Sequence, residues 1–208
     1  MGIWKKFLNQ TSKPEGFLGK QMLRGMNTGH AKIYDWGLES LNGLSFSGSI
    51  VDIGCGGGRI ISKLAEMFPA AQITGVDYSD ISVKATKSYN KKLVQEKRVN
   101  VVWGDVSDLQ FEEKRFDLAT AFETVYFWPG LEICFAQVYR VLKENGYFLI
   151  VLETDGEDGV SQKYERIIDK MKVYKPKELM DCLKQVGFEI TSYRHGDGTS
   201  WISILAKK

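Results

Sequence analysis

The sequence predicts an α/β fold: a three-layer αβα sandwich whose seven-stranded sheet is mostly parallel and closes on an antiparallel C-terminal strand hairpin. Three observations predict it. Short apolar runs alternate with amphipathic stretches from Ser49 to Glu153, the order that puts helices on both faces of a parallel sheet. Those runs are nearly continuous in apolar residues, as burial on both faces requires. Two further β-prone runs end the chain, joined by the turn "RHGDG", which reads as a hairpin.

The elements follow in order. Residues 1–45 form an N-terminal helical segment, with helical stretches "GIWKKFLN", "EGFLGKQMLRGMN" and "HAKIYDWGLESL". Residues 46–208 form the α/β domain. "SIVDIG" is a buried strand bounded by glycine. "RIISKLAEMF" carries Ile60, Ile61, Leu64, Ala65 and Phe68 on one stripe, and Pro69 stops it. "AQITGVD" is the second strand. "SDISVKATKSYNKKLVQEK" is a single helix with Ser79 or Asp80 as N-cap. "VNVVWGD" and "FDLATAFE" are the third and fourth strands. "LEICFAQVYRVLK" turns Leu131, Cys134, Phe135, Val138, Val141 and Leu142 inward. "GYFLIVLE" is the fifth strand. Residues 156–175 read as an insertion with one helix, "QKYERIIDKMK". A helix ending at Gly187 leads into the sixth strand, and "TSWISILAKK" is the last.

A chain of 208 residues suits one domain with a full core. A net charge of +2 argues against a partner held by a strong basic field, so no nucleic-acid partner is expected. The cysteines, Cys55, Cys134 and Cys182, form no CxxC pair, and no metal site is expected. Free cysteines and the charged start "MGIWKKFLNQ" point to a cytoplasmic setting, with no membrane span. Monomer and homodimer both remain open.

The decisive stretch is "VDIGCGGGR" at 51–59, with four glycines in five residues behind a strand. Such a turn lets the backbone bend sharply and approach a ligand, and the following helix offers free N–H groups. A dinucleotide fingerprint needs glycine or alanine where Arg59 stands. The spacing is instead D-x-G-x-G-x-G: Asp52, Gly54, Gly56 and Gly58. Twenty-five residues after Asp52, "GVDYSD" puts Asp77 at a strand end, where a carboxylate can accept both ribose hydroxyls of a nucleoside. Asp77 alone would fit NAD equally well.

This order of motifs resembles class I S-adenosylmethionine-dependent methyltransferases, and within them the small-molecule enzymes of the ubiquinone and menaquinone biosynthesis type. "RVLKENGYFLIV" and "LKQVGFEI" resemble later segments of the same family, with Asn145 standing for a glycine and Glu144 for a proline. The resemblance spans about residues 48–206. It implies a Rossmann-like domain and S-adenosyl-L-methionine as cofactor, with S-adenosyl-L-homocysteine as product. It places Asp52, Gly54, Cys55, Gly56, Gly58, Asp77 and Tyr78 around the cofactor. It also implies that Asp105 faces the adenine amino group, that Val106 donates its backbone N–H to the ring, and that Ala121, Phe122, Glu123 and Thr124 flank the methionine half.

The acceptor side is read from two stretches. In "ETVYFWP", Glu123 can serve as base, as acceptor-orienting carboxylate or as cofactor contact, and Tyr126 and Trp128 can wall the pocket or stack on a ring, while Phe127 reads as core. In "RGMNTGHAKIYDWGL", Met26, Asn27, His30 and Tyr34 are the candidate lid residues. The catalytic candidates are therefore Glu123, Tyr126, His30 and Tyr34; a lone histidine is by default a hydrogen-bonded structural residue. His195 reads as exposed. Glu132 complements its own helix N-terminus. The expected activity is methyl transfer to a small molecule. A non-catalytic cofactor-binding module and an NAD-dependent oxidoreductase are the alternatives.

Overall fold

The computed structural model describes residues 16–157 and 159–208; the expected first helix, "GIWKKFLN", lies outside them. Helices α1 (Gly16–Gly29) and α2 (Ala31–Leu38) lead into β1 (Ser49–Ile53). Then follow α3 (Arg59–Met67), β2 (Gln72–Asp77), α4 (Asp80–Tyr89), α5 (Lys91–Gln95), β3 (Val99–Trp103) and β4 (Phe116–Phe122). The chain continues through α6 (Leu131–Val141), β5 (Leu142–Leu152), α7 (Gly159–Ile167), α8 (Pro176–Val186), β6 (Glu189–His195) and β7 (Ile202–Lys207).

The seven strands are ordered β3-β2-β1-β4-β5-β7-β6. β1 to β5 pair in parallel, while β7 is antiparallel to both β5 and β6. From β1 the chain winds outward through β2 to β3, then returns to place β4 on the other side of β1. The crevice beyond the carboxyl ends of β1 and β4 is thus the switch point where such sheets bind ligands.

Burial on both faces explains the apolar strands. Along β5, Phe148, Ile150 and Leu152 enter one core cluster with Phe135, Val138 and Leu183, whereas Leu149 and Val151 enter the opposite one with Ile61, Leu64 and Leu118. The strand's period of two feeds both layers. α2 belongs to the second layer: Ile33, Tyr34, Leu38 and Leu41 are buried there. Gly37 lets α2 lie against β5, because a Cβ would meet the Val151 methyls at 2.6 Å.

Two elements differ from expectation. The single helix expected over 79–97 breaks at Asn90, between α4 and α5. Asn90 is buried, and its Nδ2 donates to Gly58 O at 2.9 Å and Thr86 O at 3.1 Å. These tertiary bonds take the side chain that would otherwise be neutral on a helix surface. β5 also starts at Leu142 rather than near Gly146. Its pairing with β4 runs Phe116↔Leu142, slips, and resumes at Leu118↔Tyr147. Asp117 occupies the slip, accepting from Ser49 N at 2.7 Å and from Lys143 Nζ at 2.9 Å. Asn145 turns there with φ 64, the left-handed geometry a glycine would take.

Candidate cofactor and acceptor site

The loop after β1 is built by its glycines. Gly54, Gly56 and Gly58 have φ of 77, 49 and 83, which an L side chain adopts only under strain. The D-x-G-x-G-x-G spacing is therefore a conformational code. The loop is held from three sides. Gly54 N and Cys55 N both donate to Val76 O, at 2.8 and 3.1 Å. Thr86 Oγ1 donates to Gly56 O at 2.9 Å. Asn27 Nδ2 of α1 donates to Gly57 O at 3.0 Å.

Beside the loop opens a cavity of about 520 Å³, within the range of small-molecule sites. Its β2–β3 end carries Asp77, Tyr78, Asp105 and Val106; its β4 end carries Tyr34, Phe122, Glu123 and Thr124. Asp52, Gly54, Cys55 and Gly56 line the middle. Other expected site residues lie elsewhere. Gly58 faces α4, where Thr86 and Asn90 pack on it. Ala121 is fully buried within β4. The Met26 side chain lies outside the described side chains.

Three buried carboxylates meet the cavity, and none is ion-paired among the described residues. Asp77 is 7% exposed; its Oδ2 accepts from Gly56 N and its Oδ1 from Ser79 N, both at 2.9 Å. Burial raises its pKa, while those N–H groups oppose the rise. Glu123 is likewise 7% exposed, with φ 55, and its Oε1 accepts from Glu153 N at 2.6 Å. Burial and the Glu153 charge push its carboxyl well up. Asp52 accepts from Thr120 Oγ1 at 2.7 Å. Burial pushes its pKa up to about 7, against the Thr120 hydrogen bond. Asp105 is exposed and its Oδ1 caps the turn at Val106–Asp108 through Ser107 N and Oγ, so one oxygen is committed locally.

Asp52 sets a pH dependence. In the unfolded chain it loses its proton near pH 4. In the folded protein it does so near pH 7. Between these values the folded state binds the proton more tightly, so the contribution of Asp52 to stability is greatest below pH 4 and falls as pH rises to about 7. Asp52→Asn retains an acceptor for Thr120. It should flatten that slope and stabilise the ligand-free protein at pH 8, by up to about 4 kcal/mol. Urea unfolding of both proteins at pH 5 and pH 8 checks this; identical pH slopes would refute it.

His30 lies off the cavity at the entry to α2. Its ring meets Tyr34 edge-on at 5.8 Å, its Nε2 stands 3.7 Å from Glu153 Oε2, and its Nδ1 is buried without a partner. The donor atoms of His30, Glu123 and Glu153 lie within 4.8 Å of one another, close enough for a divalent cation to bridge. Tyr34 is buried between His30 and Phe122, and burial raises its pKa strongly. Tyr126 sits behind the cavity wall, its hydroxyl aimed at the backbone of Glu153 and Thr154 without reaching hydrogen-bond geometry. Phe127, read as core, packs partly on the core and also lines the cavity with Trp128 and Pro129. His195 is exposed and pairs with Asp155 at 2.9 Å.

Thr124 and Trp128 line the cavity as expected, whereas Leu23 and Lys170 are lining residues that sequence reasoning missed. These two come from α1 and the chain beyond α7, which carry no motif. The resemblance to quinone-biosynthesis enzymes offered no hint of them.

Residues 51–150 match the methyltransferase domain family. These residues form a methyltransferase domain of the class I S-adenosylmethionine-dependent type. Sterol 24-C-methyltransferase from Eremothecium gossypii is 29% identical over 157 residues, 71% of this chain and 42% of that protein. Sterol methyltransferase-like 3 from Botryococcus braunii is 30% identical over 186 residues, 80% of this chain and 45% of that protein. This methyltransferase chain thus spans less than half the length of these curated relatives. Among solved structures, an S-adenosylmethionine-dependent methyltransferase from Aquifex aeolicus superposes with a TM-score of 0.75 at 15% identity, covering 90% of this chain and 97% of the other.

The cavity fits the family's cofactor, S-adenosylmethionine. Its buried acids suit a ligand carrying a sulfonium and an ammonium, whose positive charge would favour their ionised forms. Among the described residues no helix is long and apolar enough to cross a membrane.

Proposed function

We propose that this chain transfers a methyl group from S-adenosylmethionine to a small, largely apolar acceptor. The observation that carries it is the cavity itself: unpaired buried carboxylates at the glycine loop, with an aromatic wall of Tyr34, Phe122, Phe127 and Trp128 beyond them. When bound, the cofactor supplies a methyl group on a sulfonium for in-line transfer, the bond pair remaining on sulfur.

The chain's own residues position and shield. Asp77 would take the ribose hydroxyls, Gly54–Gly56 would underlie the methionine, and Val106 N–H would meet the adenine. Tyr34 and Phe122, in edge contact at 5.7 Å, keep the β4 end dry, which strengthens electrostatics there and favours proximity catalysis. Glu123 is the group to accept a proton from the acceptor, because it is buried beside the transfer site and its pKa is raised. α1, fixed to the loop by Asn27, serves as the lid edge. The sterol methyltransferase relatives support an apolar acceptor of sterol-like size. The free cysteines, two of them buried, support a cytoplasmic setting.

The test is transfer of labelled methyl from S-adenosylmethionine to a panel of sterols, prenyl compounds and quinols. Label in an apolar product supports the reading. Cofactor binding without transfer to any acceptor would favour the binding module. Glu123→Gln should lower kcat about 100-fold with S-adenosylhomocysteine affinity kept; if affinity falls instead, Glu123 holds the cofactor and not a proton.

A further inference from the structure

Given that S-adenosylmethionine fills the cavity, we propose that Arg59 is its anion anchor, taking the carboxylate of the methionine end. Arg59 is the first residue of α3 and lines the cavity wall. Its Nε is sealed from solvent and has no hydrogen-bond partner. A guanidinium carries five N–H donors and no acceptor, and a buried charged donor left unmade is costly. Its position adds to that cost, since the helix N-terminus is itself positive.

No group of the described protein relieves it. Arg59 makes no ion pair there, and the carboxylates around the cavity accept from other groups: Asp52 from Thr120, Asp77 from Gly56 and Ser79, Glu123 from Glu153 N. The side chain is half-buried, its Nε sealed and unpartnered, and a ligand anion in the cavity would supply the partner. A planar carboxylate matches the fork of a guanidinium bidentately. A phosphate would match it too, but S-adenosylmethionine carries none. At its zwitterionic amino-acid end the ammonium suits the acids while the carboxylate suits Arg59.

Topology puts Arg59 at the correct end. β1 lies between β2 and β4, so the nucleoside side belongs to Asp77 and the loops after β2 and β3. The charge of Arg59 acts on Tyr34 of the opposite, β4 side. Lys170 is the cavity's other cation among the described residues, but it is exposed and keeps its water.

Calorimetric titration with S-adenosylmethionine and with decarboxylated S-adenosylmethionine tests this. The two ligands share sulfonium and ammonium and differ only in the carboxylate. Wild type should prefer the carboxylated form by about 10- to 100-fold. Arg59→Gln should bring the ratio close to one while holding affinity for the decarboxylated form within about threefold. Arg59→Lys, which keeps charge without the fork, should fall between, and Lys170→Gln should keep the wild-type ratio. A preference that survives Arg59→Gln, vanishes in Lys170→Gln, or is absent from wild type overturns the assignment and leaves the cofactor reading standing. Wild type binding neither ligand overturns both.

Discussion

Asp77→Ala is expected to weaken S-adenosylhomocysteine binding by at least about 100-fold while the chain stays folded. The carboxylate stands at the end of β2, on the floor of the cavity, 7% exposed. Each oxygen accepts one backbone N–H, from Gly56 and from Ser79. A carboxylate has about four acceptor sites, so each oxygen keeps one for a ribose hydroxyl. Two charge-assisted bonds at about 1.5–3 kcal/mol each account for a loss of that size. The fold survives because removing an unpaired buried charge relieves a desolvation cost, which offsets the two lost backbone bonds. Asp77 also holds the loop, so part of the loss is preorganisation. Asp77→Asn separates the two roles: it keeps an acceptor for one N–H and one hydroxyl, and should fall between wild type and alanine. Unchanged affinity in Asp77→Ala, measured by calorimetry on protein with wild-type circular dichroism, would remove Asp77 from the site.

Gly58→Ala is expected to destabilise the protein by about 2–5 kcal/mol, a large part of a domain's total. At φ 83 an alanine costs about 1–2 kcal/mol. Its Cβ would also stand 2.9 Å from Thr86 Cα and 2.7 Å from Asn90 Nδ2. The first is backbone and cannot swing aside, so α4 must retreat, at about 1–3 kcal/mol for overpacking. The neighbouring Gly57→Ala is the contrast. Its φ is not positive, and its Cβ would meet only the end of the Asn27 side chain, at 2.5 Å. That group can move, so the fold should lose far less there, while the link from α1 to the loop is broken. Urea unfolding of both variants checks this. A Gly58→Ala protein within about 0.5 kcal/mol of wild type would mean the loop does not need its left-handed residue.

Much of this was legible in the residues because the physics involved is local or periodic. The apolar runs of β1 to β5 declare two buried faces, and both core layers are there. The glycine spacing declares left-handed backbone, and the three glycines at 54, 56 and 58 adopt it. The carboxylates at 52 and 77 were placed by strand ends alone. What stayed hidden depends on partners far along the chain. Nothing local marks Asn90 as a helix break; its buried bonds to Gly58 and Thr86 exist only once α4 packs on the loop. Arg59 registered only as a missing glycine, and its unpartnered Nε needs the closed cavity to be seen. Tyr126 and Phe127 exchanged expected places, because the turn at Val125–Phe127 decides which ring faces the cavity. Glu123 was a candidate by position, but its left-handed backbone and its pairing with Glu153 N come from the β4–β5 ends meeting.

The central claim is that the cavity at the glycine loop holds a cofactor with no phosphate. Calorimetric titration of the purified chain with S-adenosylhomocysteine, with NAD as the parallel ligand, tests it most directly. Micromolar binding of S-adenosylhomocysteine and no heat with NAD is the expected result. Binding of NAD in its place would contradict this reading, because the loop carries Arg59 where a dinucleotide fingerprint needs glycine or alanine.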